Sequence, residues 1–171
     1  SFGYSWFESS DDAIDNDHFY SRDFHRDALF DGEAALKHTD DTRISFGVGY
    51  QYKDLGDYEV LHVFPHKDGH QDTTRAFVKA EHDFGGGMNG YLQWFGNFDG
   101  DDHPSIYHAT SMQNDIEGQL SFSPADGHKM TVGANGRWIR GETDQERITD
   151  FALIHNPVDE CQTGAFALDR W

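Results

Sequence analysis

From Arg43 to Lys53 the chain alternates. Ile44, Phe46, Val48, Tyr50 and Tyr52 fall at one parity, and Arg43, Ser45, Gly47, Gly49 and Gln51 at the other. Strict period-two alternation over this length predicts a strand with one apolar face. The pattern recurs in residues 28–38, where Phe30, Ala34 and Leu36 oppose Asp31, Glu33 and Lys37. In 74–84, Ala76, Val78, Ala80 and Phe84 oppose Lys79, Glu81 and Asp83. In 114–124, Ile116, Leu120 and Phe122 oppose Asp115, Glu117, Gln119 and Ser121. In 128–140, Met130, Val132, Ala134 and Trp138 oppose Thr131, Asn135 and Arg137, and in 163–171 Phe166 and Leu168 oppose Thr163 and Asp169. Residues 88–98 are less clean, because Leu92, Trp94 and Phe98 share one parity while Tyr91 and Phe95 take the other. Residues 1–8, with Phe2, Tyr4 and Trp6 in step, add a further strand. The predicted fold is all-β, antiparallel and up-and-down, as one β-barrel segment over residues 1–171.

The connections sharpen this picture. Thr39-Asp40-Asp41-Thr42, Gly85-Gly86-Gly87 and Ala125-Asp126-Gly127 carry the Gly and Asp chemistry of tight hairpin turns. Between them run long polar stretches at 9–27, 54–73, 99–113 and 141–162. Strict alternation of short and long connections is what a transmembrane β-barrel shows, with minimal periplasmic turns and longer extracellular loops. Strands of about 9–11 residues are also what a tilted crossing of the hydrocarbon core needs. The aromatics Tyr50, Tyr52, Trp94, Phe98 and Trp138 fall near predicted strand ends, where a membrane barrel carries an interfacial belt.

Composition changes the picture in three ways. Hydrophobic residues make up 36% and mean hydropathy is -0.76, and no apolar run approaches the ~20 residues of a spanning helix. That excludes a helical membrane protein and leaves a barrel open. The net charge of -18, from 13 Lys+Arg against 31 Asp+Glu, argues against nucleic acid, whose phosphates require clustered cations. The lone Cys161 forms no intrachain disulfide. Ser1 opens into Phe2-Gly3-Tyr4 without a charged n-region and apolar h-region, so the expectation is a processed chain or a fragment.

Several stretches resemble the barrel strands of TonB-dependent outer-membrane receptors. Phe77-Val78-Lys79-Ala80-Glu81-His82-Asp83-Phe84, a glycine turn and Tyr91-Leu92-Gln93-Trp94-Phe95 resemble one of their hairpins. Asp115 to Phe122, followed by Gly127-His128-Lys129-Met130-Thr131-Val132-Gly133 and running on to Arg137, resembles another, in which the second strand opens G-H-x-h-x-h-G with h apolar. Gly164-Ala165-Phe166-Ala167-Leu168-Asp169-Arg170-Trp171 resembles the recurrent G-x-F-x-Q-D-x-W opening, with Leu168 where Gln is usual. The likeness runs from about Ala28 to Trp171. It lacks the family's N-terminal plug and TonB-contacting box, so it implies part of a barrel, about eight strands of the roughly 22 in such receptors.

Candidate ligand-binding residues come from the long connections and the polar parity. His62, His66 and His70 share one loop, where Pro65 argues against the helix that would align them. His103 and His108 share the next with Asp99, Asp101 and Asp102, a donor set that suits a transition metal. The alternative is solvated loop histidine. Asp99-Gly100-Asp101-Asp102 offers oxygens for calcium, but the remainder of an EF-hand loop is missing, and a plain acidic turn is the competing reading. Arg137 and Arg140 lie near one strand's outer end, with Glu142 and Arg147 following. Arg137 on the polar parity can grip a carboxylate or a chelated metal through two bonds, or else pair with an acid on the neighbouring strand.

No G-x-S-x-G, H-E-x-x-H or phosphate-binding loop occurs, so no enzyme is expected. The resemblance implies uptake of a scarce nutrient across a Gram-negative outer membrane: a metal chelate such as a siderophore, a haem, a cobalamin or a glycan. It implies no cofactor, outer-membrane lipid around the strands, and the TonB complex as a partner contacted through parts absent from this sequence. Two other readings remain open here: a small complete eight-stranded barrel with a structural or adhesive role, and a soluble β-sandwich that binds glycans.

Overall fold

Alternating sequences joined by tight turns pair each strand with the next, and that is the whole architecture. The computed structural model describes residues 2–10, 24–55, 69–103, 107–144 and 157–171. They form eight strands: β1 (Phe2–Ser10), β2 (Phe24–Lys37), β3 (Thr42–Leu55), β4 (Gly69–Gly85), β5 (Met88–His103), β6 (Tyr107–Phe122), β7 (Lys129–Asp144) and β8 (Val158–Arg170). All belong to one antiparallel sheet in the order β1-β2-β3-β4-β5-β6-β7-β8. β1 and β8 do not touch, so the sheet is open at both edges.

At the turn end the chain reverses sharply. Gly85, Gly86 and Gly87 all take positive φ, at 76°, 62° and 82°, which only glycine adopts without strain. Gly127, at φ 80°, does the same in the β6–β7 turn, closed by a bond from His128 N to Ala125 O at 3.1 Å.

Cross-strand partners share a face, so the register sorts every side chain. Ile44 lies opposite Leu36 and Ala80, Phe46 opposite Ala34 and Val78, and Val78 opposite Trp94. Trp94 then faces Ile116, and Leu120 faces Val132. These residues make one continuous apolar face. No second layer covers it: among the described residues no hydrophobic side chain is buried, and Leu36, Leu92 and Ile116 are 58%, 59% and 54% exposed.

The apolar residues form a band with two parallel edges. On β3 the band runs from Ile44 to Tyr52 and on β7 from Met130 to Trp138, eight residue steps each time, and on β5 it spans Leu92 to Phe98. Following the register from β3 to β7, the Tyr52 row reaches Glu142 and the Ile44 row reaches Ala134. Both edges have therefore dropped four residues in crossing four strands. At about 3.3 Å per residue and about 4.8 Å between strands, that is a slope of roughly 35°. The strands stand tilted to their own band by the angle that barrels require.

Three expectations need correction. Residues 99–113 are not a loop: β5 continues to His103 and β6 starts at Tyr107, with Asp99 opposite Ser111 and Asp101 opposite Ala109. The strict alternation of connection lengths therefore breaks there. Backbone pairing outruns the apolar band, and polar composition disguised the strand ends. Trp94 sits in mid-band rather than at a strand end, because β5 is longer than its apolar stretch. Phe166 and Leu168 do not join the apolar face. Phe166 pairs with Gly133 and Leu168 with Thr131, both on the polar side, while Ala165 and Ala167 lie against Ala134 and Val132. Phe166's ring covers the place that a Cβ on Gly133 would occupy, so the missing side chain makes room for the ring.

Candidate functional site

Among the described residues the polar face carries a dense set of side-chain contacts, and strand register builds it. Near the loop end Asp99 receives Thr73 Oγ1 at 2.8 Å, Asn97 Nδ2 at 3.1 Å and Ser111 Oγ at 3.2 Å. Two residues on, Asp101 accepts from the Tyr107 hydroxyl at 2.9 Å. Burial, together with that hydrogen bond and the Asp101 charge, pushes the Tyr107 phenol above its ordinary pKa. Asp99 and Asp101, with Gln71, Ser111 and Thr143, border a recess of about 430 Å³.

Toward mid-strand, Arg137 Nε donates to Asp115 Oδ1 at 2.6 Å, and Gln113 Nε2 donates to Asp115 Oδ2 at 2.6 Å. Across the sheet Arg75 spans β3 to reach Asp31 at 3.1 Å, passing over Gly49. The Phe77 ring lies over Gly47 in the same way, beside its cross-strand partner Phe95. These two crossings border a recess of about 320 Å³. Nearer the turns, Lys79 sits 4.7 Å over the Tyr91 ring and 2.7 Å from Glu81, and Tyr91 donates to Glu117. Tyr91 and Phe95 thus line the polar wall.

The sequence-derived candidates separate by parity. Asp99, Asp101 and Arg137 share the polar face. Asp102, His108 and Arg140 lie on the opposite one, where Arg140 is 4.0 Å from Glu142. The acidic run Asp99–Asp102 is neither a turn nor a one-sided oxygen cluster, because strand geometry sends Asp102 to the other side. His103 closes β5 opposite Tyr107, and its side chain, like His62, His66 and Arg147, lies outside the described residues. Among the described residues no three His, Cys, Asp or Glu side chains converge as a formed metal site.

Sequence reasoning missed Thr73, Ser111, Tyr107, Arg75 and Asp31. Continuing the period-two count from Asn97 through Asp99 to Asp101 puts both acids on the polar side, but Thr73, Ser111 and Tyr107 join them only through strand register. Arg75 and Asp31 meet only because Gly49 of the intervening strand lacks a side chain. Chemically, the wall is a lattice of donors and acceptors in which Arg75, Lys79 and Arg137 are already paired. It suits reversible contact with a polar ligand.

The class this geometry defines is an antiparallel up-and-down sheet of the barrel-wall kind, one face apolar and one polar. A solved structure it is similar to is FpvA of P. aeruginosa, bound to a heterologous pyoverdine and iron, with TM-score 0.61 and 16% identity. The match covers 86% of this chain and 28% of FpvA. At that identity the likeness is one of fold, and the chain spans little more than a quarter of the neighbour's length. No protein-family profile and no curated protein matches the chain.

Proposed function

We propose that the chain is part of the barrel wall of a TonB-dependent outer-membrane receptor that takes up a scarce small-molecule nutrient. The observation that carries this is the parallel-edged apolar band. Eight residue steps at about 3.3 Å span about 26 Å along a strand, or about 22 Å upright after a roughly 35° tilt. That is close to the roughly 25 Å apolar belt of outer-membrane barrels. Tyr52, Phe98 and Trp138 mark its upper edge, and the amphipathic rings of Tyr52 and Trp138 favour the headgroup level. Large apolar side chains exposed in such numbers are unfavourable in water and favourable in lipid.

The polar face is then the lumen, and the ligand passes Asp99, Asp101 and Arg137. The fold likeness to FpvA, a TonB-dependent siderophore receptor, supports a chelated metal as the ligand; haem, cobalamin or a glycan would meet the same wall. The open edges at β1 and β8 need further strands, because unsatisfied backbone groups are not tolerated in hydrocarbon. That favours a larger wall over a complete eight-stranded barrel. Contact with the TonB complex falls to other parts of the protein. We read the chain as non-enzymatic and without a cofactor of its own.

Fractionation with heat-modifiability tests the reading. Outer-membrane recovery and slower gel migration after boiling are expected. Recovery as a folded, detergent-independent globule overturns it.

A further inference from the structure

Two neighbouring rows of the polar face combine features that neither row holds alone. In the upper row Asp31, Gly49 and Arg75 are cross-strand partners. In the lower row, two residues nearer the turns, Glu33, Gly47, Phe77 and Phe95 are. The two glycines open β3. Arg75 lies over Gly49 to reach Asp31, and the Phe77 ring lies over Gly47. The result is the recess of about 320 Å³, in which a charged pair stands above two aromatic rings.

We propose that this recess is a subsite for a neutral sugar unit, held by its hydroxyls on Asp31 and Arg75 and by its C–H face on the Phe77–Phe95 pair. The inference rests on the uptake reading and deepens it by naming the ligand chemistry. The sugar belongs either to a free glycan or to a chelate that carries one.

Hydrogen bonding points there first. Arg75 Nη2 donates to Asp31 Oδ1 at 3.1 Å, and among the described residues neither side chain makes a second hydrogen bond or ion pair. Asp31 Oδ2 and the other guanidinium N–H groups thus remain open to a ligand, an acceptor beside donors. With side chains 57% and 47% exposed, both are within reach. Neighbouring sugar hydroxyls complement such a pair, because one donates to the carboxylate while the next accepts from the guanidinium.

The aromatic pair supplies the second contact. A pyranose carries an apolar C–H face, and the negative face of a phenyl ring attracts polarised C–H groups. Charge disfavours the rivals. Two carboxylates, Asp31 and Glu33, border the recess against one guanidinium and oppose an anionic guest, while Arg75 opposes a bare cation. A wholly apolar guest would strip water from the ion pair without replacing its hydrogen bonds. The volume lies at the low end of the roughly 300–1,000 Å³ of small-molecule sites, which suits a sugar unit rather than a macrocycle.

The test uses the purified, folded protein in detergent, read by calorimetry and saturation-transfer NMR. The probes are maltose, cellobiose and lactose, and an iron(III) catecholate chelate with and without an attached glucose. Binding of a disaccharide assigns a free glycan, and binding of the glucosylated chelate alone assigns a sugar-bearing chelate. For the probe that binds, Asp31→Asn and Gly49→Ala should each lower affinity about tenfold, as losing a charge-assisted hydrogen bond does. Gly49→Ala acts by pushing Arg75 and Asp31 off β3. Should it fail to fold, Arg75→Gln replaces it with the same loss expected. His82→Ala, at the turn end of the other face, should change nothing. Failure of every sugar probe to bind, or binding that Asp31→Asn and Arg75→Gln leave intact, overturns the subsite. Outer-membrane recovery without sugar binding overturns this inference alone, whereas a detergent-independent globule overturns the uptake reading beneath it.

Discussion

Asp115 and Arg137 stand directly opposite each other on β6 and β7, and the Arg137 Nε reaches the Asp115 carboxylate at 2.6 Å. A guanidinium that looks available from the sequence is therefore already engaged, on the lumen side of the proposed barrel. Gln113 holds the other carboxylate oxygen, so the acid is fixed from two strands.

This pairing sets the first prediction. The side chains are 45% and 24% exposed, so solvent screens the pair and its worth is small. A double-mutant cycle with Arg137→Ala and Asp115→Ala should give a coupling of about 0.2–1 kcal/mol in unfolding free energy. Ligand uptake should fall more in Arg137→Ala alone than in the double variant, because the single change leaves a bare carboxylate in the wall. Equal uptake in both would contradict that role.

The second prediction concerns the two faces of β7. Val132 lies between Leu120 and Ala167 in the apolar band. Val132→Arg should lower barrel stability by ~2–4 kcal/mol in a bilayer. Asn135→Arg, exposed on the polar face opposite Glu117, should cost less than about 0.5 kcal/mol. Unfolding by urea from lipid vesicles measures both. Similar losses would mean the faces have been assigned wrongly.

Glycines give the third. Phe77's ring occupies the place of a Gly47 side chain, and the Gly32 carbonyl lies 3.1 Å from it. Gly47→Ala should cost about 1–3 kcal/mol, as overpacking does. Gly136 has nothing within 4 Å of its missing Cβ. Gly136→Ala should be neutral or stabilising by about 0.4–1 kcal/mol, since it restricts the unfolded chain. Thermal denaturation of the two variants side by side decides the matter.

The fourth is a pH dependence. Tyr107 lies above the band, and burial is the larger cause of its raised pKa, with the Asp101 hydrogen bond next. A raised folded-state pKa favours the protonated form. Its stabilising contribution is thus complete below the ordinary tyrosine pKa of about 10 and is lost as pH climbs through the folded value. Phenolate absorbance, taken as wild type minus Tyr107→Phe, should titrate above free tyrosine. In Asp101→Asn it should move partway back, because burial remains. A Tyr107 titration at or below that of free tyrosine would refute the assignment.

Much of this was legible in the residues. Ile44 to Tyr52 and Met130 to Trp138 announce their strands and apolar sides by spacing alone, and Gly85-Gly86-Gly87 announces its turn. The candidate site was less legible. Asp99 and Asp102 look like neighbours in one acidic run, yet backbone pleating puts them on opposite faces. His70 and His108, 38 positions apart, become near neighbours only because β5 lies between them and carries Asp102.

Phe166 shows where local reading stops. Its alternation is sound, but alternation has no sign: it says that two sides differ without saying which side of the sheet each joins. Gly133 on the adjacent strand settles that, by leaving space for the ring on the polar face. The sequence by itself determined strands, turns and the split of each strand into two sides, because those follow from backbone geometry over a few residues. Only the tertiary structure decided register, and with it the slope of the apolar band, the Asp115–Arg137 contact and the placing of Asp102 between His70 and His108. Each depends on hydrogen bonds between strands, and those fix the relative height of residues far apart in the chain.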